Sequence, residues 1–371
     1  MEKILTKKLE RQRRFTEDIL AGMIDLVRVV DKNSRIVFIN KPMEDLLGDI
    51  RGQKCYTALG KTCKCKNCIS QTTMYSGRAV KKEEIIDGKI FSVVSSPIRD
   101  ENGEIYCVVE VFRDVTEKRK MERIILEKNL KMKKDLNFAK YIQRRIIPQD
   151  GVYNDMIKIY SKYIPSEMLG GDVFDIINID DENIGIYMAD VAGHGVTASM
   201  MTMFIKQTLK SLKKDAIDPV YTLNYLNSRY KELNLDDDYY ITILYGVFNR
   251  PTSTMKIING GHNCMPIIFK RDEAREVFLP GLPICTLFDN SQYKDHDIHL
   301  NSNDRILFYT DGISEAKNHQ KEIYSDRILD ICLENLYSSS DKLIQNLIDD
   351  VIDFSNNNLD DDVAVMMMEI L

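Results

Sequence analysis

The chain has 371 residues, 44% of them hydrophobic, enough for two or three domains with their own cores. A formal net charge of −6 argues against a broad nucleic-acid-binding surface. No apolar run approaches the ~18 residues of a membrane span, and the opening MEKILTKKLERQRRF lacks the apolar core of a signal peptide, so a soluble, cytoplasmic chain is expected.

Residues 1–20 are expected to form an N-terminal amphipathic helix. DLVRVVDKNSRIVFIN predicts two strands around the turn-prone Asp31-Lys32-Asn33-Ser34, KPMEDLLG a short helix, and KIFSVVSSPIRDENGEIYCVVEVFRDVTE two further strands. The sum is a small antiparallel α+β module. Over residues 21–116, including the closing FRDVTE, it resembles a PAS sensor domain.

Within this module, CYTALGKTCKCKNC sets Cys55, Cys63, Cys65 and Cys68 at C-x7-C-x-C-x2-C. In a reducing compartment cysteines are thiols or metal ligands before they are disulfides. Four thiols so spaced are able to surround one Zn2+ or an iron–sulfur centre, or to form a loop of reduced thiols made reactive by Lys61, Lys64 and Lys66. Cys107, Cys264, Cys285 and Cys332 are scattered and read as packing residues.

Residues 117–147 contain no glycine, and the next proline is Pro148, so a single helical linker is expected. Ile125, Met132, Ala139 and Ile146 recur every seven residues, while Lys128 and Asp135 interrupt the partner positions. This is a coiled-coil-like seam of marginal strength, and it predicts a homodimer through the PAS module and the linker.

From Ile157 onward strands alternate with long helices. In LGGDVFDIINIDDENIGIYMAD, strands over 173–179 and 184–190 flank the turn 180–183. If Ile179 faces Ile184, Asp172 falls opposite Val191, beside Asp190. After Asp190 a Gly-His-Gly turn leads into a helix. Downstream, RILFYT runs into Asp311, and the last strand VAVMMMEIL follows Asp360-Asp361-Asp362, so antiparallel neighbours would again gather acids on one edge. Carboxylates about 5 Å apart repel by roughly 3 kcal/mol per pair at an effective dielectric near 20. Such a cluster requires a cation or protonation, and oxygen-only ligands suit Mg2+ or Mn2+ rather than zinc.

LGGDVFD, ADVAGHGVTASMM, NGGHN, LFYTDGISEAKN and DDDVAV, in this order and preceded by FAKYIQRRIIPQ, resemble the stage II E-type sporulation serine phosphatases of the PPM (protein phosphatase 2C) superfamily. The resemblance covers about residues 138–371 and sets the phosphatase domain at 148–371. It implies an antiparallel β-sandwich flanked by helices, with two Mn2+ or Mg2+ ions at one end. By motif, Asp190 would bridge the ions, Asp172 and the Val191 carbonyl would serve one, and Asp311 and Asp361 the other, with Asp190 and Asp311 essential to catalysis. Asp175, Asp362, His194 and His262 are the candidate neighbours. His194 follows Asp190 by four residues where the family has two, so it is read as shaping or capping the loop, and His262 as a satisfied loop histidine rather than a ligand. Ala364 replaces a common threonine, which leaves the choice between Asp361 and Asp362 open.

The implied activity is hydrolysis of phosphoserine by direct attack of water, without a phosphoenzyme. The implied substrate is a phosphorylated anti-anti-sigma (STAS-type) protein in a partner-switching circuit. A non-catalytic regulator on the same fold is the alternative. A diguanylate cyclase reading of GGDVF fails because Val173 replaces an acidic residue and the motif comes too early in its domain. A histidine kinase reading fails because none of His194, His262, His296, His299 and His319 lies in the linker.

Overall fold

The computed structural model describes residues 2–235, 239–287 and 293–371. The chain divides into two compact units, Met1–Lys131 and Met132–Leu371.

The first unit opens with α1 (Glu2–Ala21), followed by β1 (Leu26–Asp31), β2 (Ile36–Ile39), α2 (Lys41–Leu47), α3 (Ile69–Ser76), β3 (Val80–Ile86), β4 (Lys89–Arg99) and β5 (Ile105–Asp114). The strands form an antiparallel sheet in the order β2-β1-β5-β4-β3. Asn40 starts α2 by accepting from the Met43 amide at 3.3 Å and also accepts from Val27 N at 2.8 Å, tying the helix to β1. Val30, Ile36, Met43, Phe91, Val93, Val108 and Phe112 fill the core. Sequence reading did not anticipate α3 and β3. ISQTTMYS is short and polar, and VKKEEII is a charged edge strand with a half-buried face, so neither carries a clear apolar period.

The linker is α4 (Thr116–Ile146), a single helix of 31 residues close to the expected limits. Ile125 and Met132 of the seam are 58% and 62% exposed. Gln143 is the one described α4 residue that is buried.

The second unit contains β6 (Gly151–Tyr153), β7 (Ile157–Ile164), β8 (Asp172–Asn178), β9 (Asn183–Val191), α5 (Gly195–Ser211), α6 (Pro219–Lys231), β10 (Ile241–Asn249) and β11 (Thr254–Gly260). It continues with β12 (Ile267–Lys270), β13 (Glu273–Glu276), β14 (Asp295–His299), β15 (Arg305–Tyr309), α7 (Asp311–Ser314), α8 (Ser325–Glu334), α9 (Ser340–Phe354) and β16 (Val363–Ile370). Two antiparallel sheets, β14-β11-β10-β9-β8 and β13-β12-β15-β16-β7-β6, enclose a core that includes Phe174, Ile186, Met188, Leu244, Ile159, Phe308, Met366 and Met368. The outer face of the first sheet packs with α5 and α6 through Val173, Tyr187, Ile205, Leu226 and Ile243. Leu307, Val365 and Met367 pack under α8 and α9. Because β16 is covered on both faces, VAVMMM reads as an unbroken apolar run. Each fully buried Met or Val there contributes about 1.5–3 kcal/mol. The expected helix-flanked sandwich is what forms, and β15 and β16 are antiparallel neighbours as anticipated.

Candidate active site

The β8–β9 hairpin pairs Asp172 directly with Asp190, one position from the expected register, with Asn178 against Ile184. The shift comes from the turn. Asp180 accepts from the amides of Glu182 and Asn183 at 2.9 and 2.8 Å, which ends the ladder at Asn178 rather than Ile179. The two carboxylates thus share one face, the one that lower down carries Phe174, Ile176, Ile186 and Met188 into the sandwich core. Beyond Val191, Gly193 and Gly195 adopt φ of +100° and +79°, which lets the chain reverse into α5.

The other sheet supplies the remaining acids. β15 leads into Thr310, the N-cap of α7, and Asp311 is the first helical residue. The Thr310 hydroxyl donates to Asp172 Oδ2 at 2.7 Å and accepts from the Ala364 amide at 3.0 Å, linking the two sheets at the site. Gly312 allows Asp311 to approach the Asp361–Asp362 segment, since a Cβ on it would lie 2.0 Å from the Asp362 carbonyl oxygen.

Asp361 and Asp362 differ sharply in environment. Asp362 is buried and its oxygens are occupied: Oδ1 accepts from Ser166 N at 2.7 Å and Ser166 Oγ at 3.0 Å, and Oδ2 from Gly171 N at 2.5 Å. It clamps the Gly170-Gly171 loop that precedes Asp172. Asp361 lies at the exposed rim, its Oδ1 accepting from the Asp362 amide at 2.8 Å.

Electrostatics reflect crowding. Asp172 is raised well above the usual carboxylate range by burial, then by Asp190 and Asp362. Burial, then the charges of Asp311 and Asp361, push Asp190 up to about 7. Asp311 rises to about 6 by burial and Asp361, and Asp361 itself is raised by burial. Among the described residues no three His, Cys, Asp or Glu side chains stand as a ready metal-ligand set. The donor chemistry nevertheless fits a hard divalent cation, because the converging groups are carboxylate oxygens destabilised by one another's charge.

The other expected neighbours sit differently. Asp175 is an odd number of positions from Asp172, so it shares the helix-facing side of β8 with Val173. There it pairs with Lys206 at 2.5 Å and Lys210 at 3.6 Å, and it does not join the cluster. His194 is the N-cap of α5 but its side chain makes no cap hydrogen bond, which corrects the capping expectation. It is exposed, with Nδ1 3.1 Å from Glu167 Oε1. His262 is buried between the sheets. Its Nε2–H donates to the Tyr309 carbonyl at 3.0 Å and its Nδ1 accepts from the Thr242 hydroxyl at 3.1 Å, while burial lowers its pKa to about 4. It is a neutral strut joining Thr242, the neighbour of Asp190 on β10, to the end of β15.

Sequence reading missed three supports. Gln143 exchanges two hydrogen bonds with Gly170, Nε2 donating to its carbonyl at 2.7 Å and Oε1 accepting from its amide at 3.1 Å. Thr310 and Ser166 are the others. Gln143 lies within FAKYIQRRIIPQ, where an uncharged amide set between Ile142 and Arg144 was the available signal.

In the first unit Cys55, Cys65 and Cys68 line one cavity of about 20 Å³, whereas Cys63 is exposed outside it. Four thiols therefore do not converge, and among the described residues no group of three or more His, Cys, Asp or Glu stands ready to hold a metal. The expected Zn2+ or iron–sulfur site is not formed in this structure.

The sequence profile described as Stage II sporulation protein E (SpoIIE) matches residues 180–371. The chain belongs to the SpoIIE family. A PAS domain profile matches residues 22–117, so the N-terminal module is a PAS domain. Among curated relatives, the phosphoserine phosphatase RsbU of Bacillus subtilis is 24% identical over 238 residues, 64% of this chain and 70% of RsbU. The phosphoserine phosphatase RsbP of the same organism is 25% identical over 190 residues, 50% of this chain and 46% of RsbP, so the match spans less than half of that relative. In fold, the SiaA-PP2C domain of Pseudomonas aeruginosa aligns with a TM-score of 0.55 at 16% identity, covering 65% of this chain and 98% of that domain. The PP2C phosphatase domain of Bacillus subtilis SpoIIE with a fragment of its regulatory domain aligns at 0.51 and 13% identity, covering 99% and 90%. The chain is thus a SpoIIE-family protein with an N-terminal PAS domain, and its second unit shares the fold of PP2C phosphatase domains.

Proposed function

We propose that the chain is a PAS-regulated, divalent-cation-dependent phosphatase that hydrolyses phosphoserine on a protein, the substrate being an anti-anti-sigma (STAS-type) protein in a partner-switching pathway. The observation that carries this reading is the meeting of Asp172 and Asp190 from one sheet with Asp311 and Asp361 from the other, where the acids are held above their usual pKa range by burial and by each other. Asp172, Asp190 and the Val191 carbonyl would hold one Mg2+ or Mn2+, and Asp311 and Asp361 a second, with Asp190 shared. Bound cations would supply Lewis-acid stabilisation of phosphoryl oxygens and easier ionisation of water.

The chain's own residues prepare that chemistry. Thr310 fixes the orientation of Asp172, Asp362 and Gln143 hold the preceding loop, and His262 ties β10 to β15 without adding charge. The working domain limits are 1–20, 21–116, 117–147 and 148–371. The reading includes a homodimer through the PAS domain and linker, which the exposed Ile125 and Met132 support, and a cytoplasmic location, with which the lack of a membrane-spanning helix among the described residues is compatible.

The test is phosphate release from a panel of phosphoserine proteins, STAS-type proteins included, with Mg2+, Mn2+ or chelator. Turnover that requires a divalent cation and favours the STAS-type substrates is expected. Turnover unaffected by chelation would overturn the cation assignment, and indifference among substrates would overturn the substrate class.

A further inference from the structure

The cysteines of the PAS domain form an asymmetric set. Cys55 is buried, and burial pushes its thiol pKa up, so it is a packing residue. Cys63 is exposed and outside the cavity. Cys65 and Cys68 are half-buried, line the same cavity, and are separated by Lys66 and Asn67 in a C-x-x-C arrangement. The Lys61 ammonium lies 3.7 Å from Cys65 Sγ and also pairs with Glu84. A half-exposed sulfur beside a cation is the setting in which thiols react.

From these observations we infer that Cys65 and Cys68 form a dithiol exchange site that reacts with a low-molecular-weight disulfide. The Cys65 thiolate, its proton released to solvent, attacks one sulfur of the disulfide RSSR and displaces RS−, which takes up a proton. Cys68 then loses its proton and attacks the Cys65 sulfur of the mixed disulfide, displacing the second RS−, which is protonated in turn. Two cysteine thiols are oxidised by two electrons to one disulfide, and RSSR is reduced to two RSH.

The site is placed to be felt by the domain. Cys68 is the N-cap of α3, and Ser70, two residues on, donates from its hydroxyl to the buried Glu110 of β5. Glu110 accepts from Arg28 Nε at 2.7 Å, and Arg28 donates in turn to the Cys55 carbonyl at 3.0 Å. A bond between Cys65 and Cys68 fixes the entry to α3 and so bears on this buried chain of contacts.

The reduced full-length protein would be treated with oxidised glutathione, free thiols trapped by alkylation, and the chain digested with a protease that spares lysine. The expected product is one peptide lacking two hydrogens, with Cys65 and Cys68 unalkylated, restored by dithiothreitol. C65S and C68S should each lose the intramolecular bond, C68S leaving glutathione trapped on Cys65, whereas C63S should still form it. A bond that involves Cys55 or Cys63 would overturn the assignment. So would persistence of the bond in C65S, or free Cys65 and Cys68 when Cys63 is fully glutathionylated.

Discussion

Asp172 and Asp175 stand three residues apart on one strand, both buried, and they meet opposite fates. Asp175 turns toward α5 and finds Lys206 and Lys210, so its charge is answered within the fold. Asp172 turns toward the other sheet and finds Asp190, Asp362 and Asp311. One face of β8 is electrically closed and the other is left open. Burial of acids alone does not mark a site; what marks it is burial without an internal counter-charge.

The largest effect is expected where the open face is broken. Asp190→Asn and Asp311→Asn should each lower phosphatase turnover by about a thousandfold or more, in line with loss of several kcal/mol of transition-state stabilisation. Circular dichroism should show the fold retained, because each change relieves repulsion. Near-normal turnover by either variant would remove the two-ion assignment.

Breaking the closed face should act on stability instead. Lys206→Met leaves Asp175 buried with only the more distant Lys210, and should cost about 3 kcal/mol in denaturant unfolding of the second unit. The double change D175L/K206M should cost less than K206M alone. If K206M unfolds like the wild type, the pair contributes nothing and the contrast fails.

Supplying the missing counter-charge sharpens the comparison. Mg2+ or Mn2+ at about a hundred times its dissociation constant should stabilise chelator-treated wild type by about 2.7 kcal/mol. D190N should gain much less, and K206M should gain as much as wild type. Equal gains in D190N would mean that the cation binds elsewhere.

The most gradual effect, spread over pH, concerns His262, whose pKa is lowered by burial to about 4. The unfolded chain binds this proton below about pH 6.5, whereas the folded chain resists it down to about pH 4, so the group's stabilisation is present above 6.5 and is lost as pH falls. The loss amounts at most to about 3 kcal/mol. With cation saturating, the stability gap between wild type and His262→Gln should narrow from about pH 7 to about pH 4. A gap constant across that range would show that His262 does not titrate in this way.

Much of this was legible because apolar strands that end in acids announce both fold and edge. The hairpin around Asp180-Asp181-Glu182-Asn183 could be read from turn chemistry, though its register missed by one residue because Asp180 captures the amides of Glu182 and Asn183. Gln143, Ser166 and Thr310 escaped because their roles depend on partners from remote segments, which no local period reports. Asp175 misled for the opposite reason: its nearness to Asp172 in sequence hides the alternation that sends it to the other face.

The Asp362 clamp has a consequence for how the site comes into being. Its hydrogen bonds to Ser166 and Gly171 close loops of 196 and 191 residues. Contacts of such range wait on the slow step of a β topology, since the chain must surrender its loop entropy before they form. The hairpin carrying Asp172 and Asp190 can assemble locally, yet it holds only half of the acids until β16 docks. A folding intermediate with that hairpin in place and the last strand still free would be compact and silent, so recovery of cation binding during refolding should trail the recovery of secondary structure.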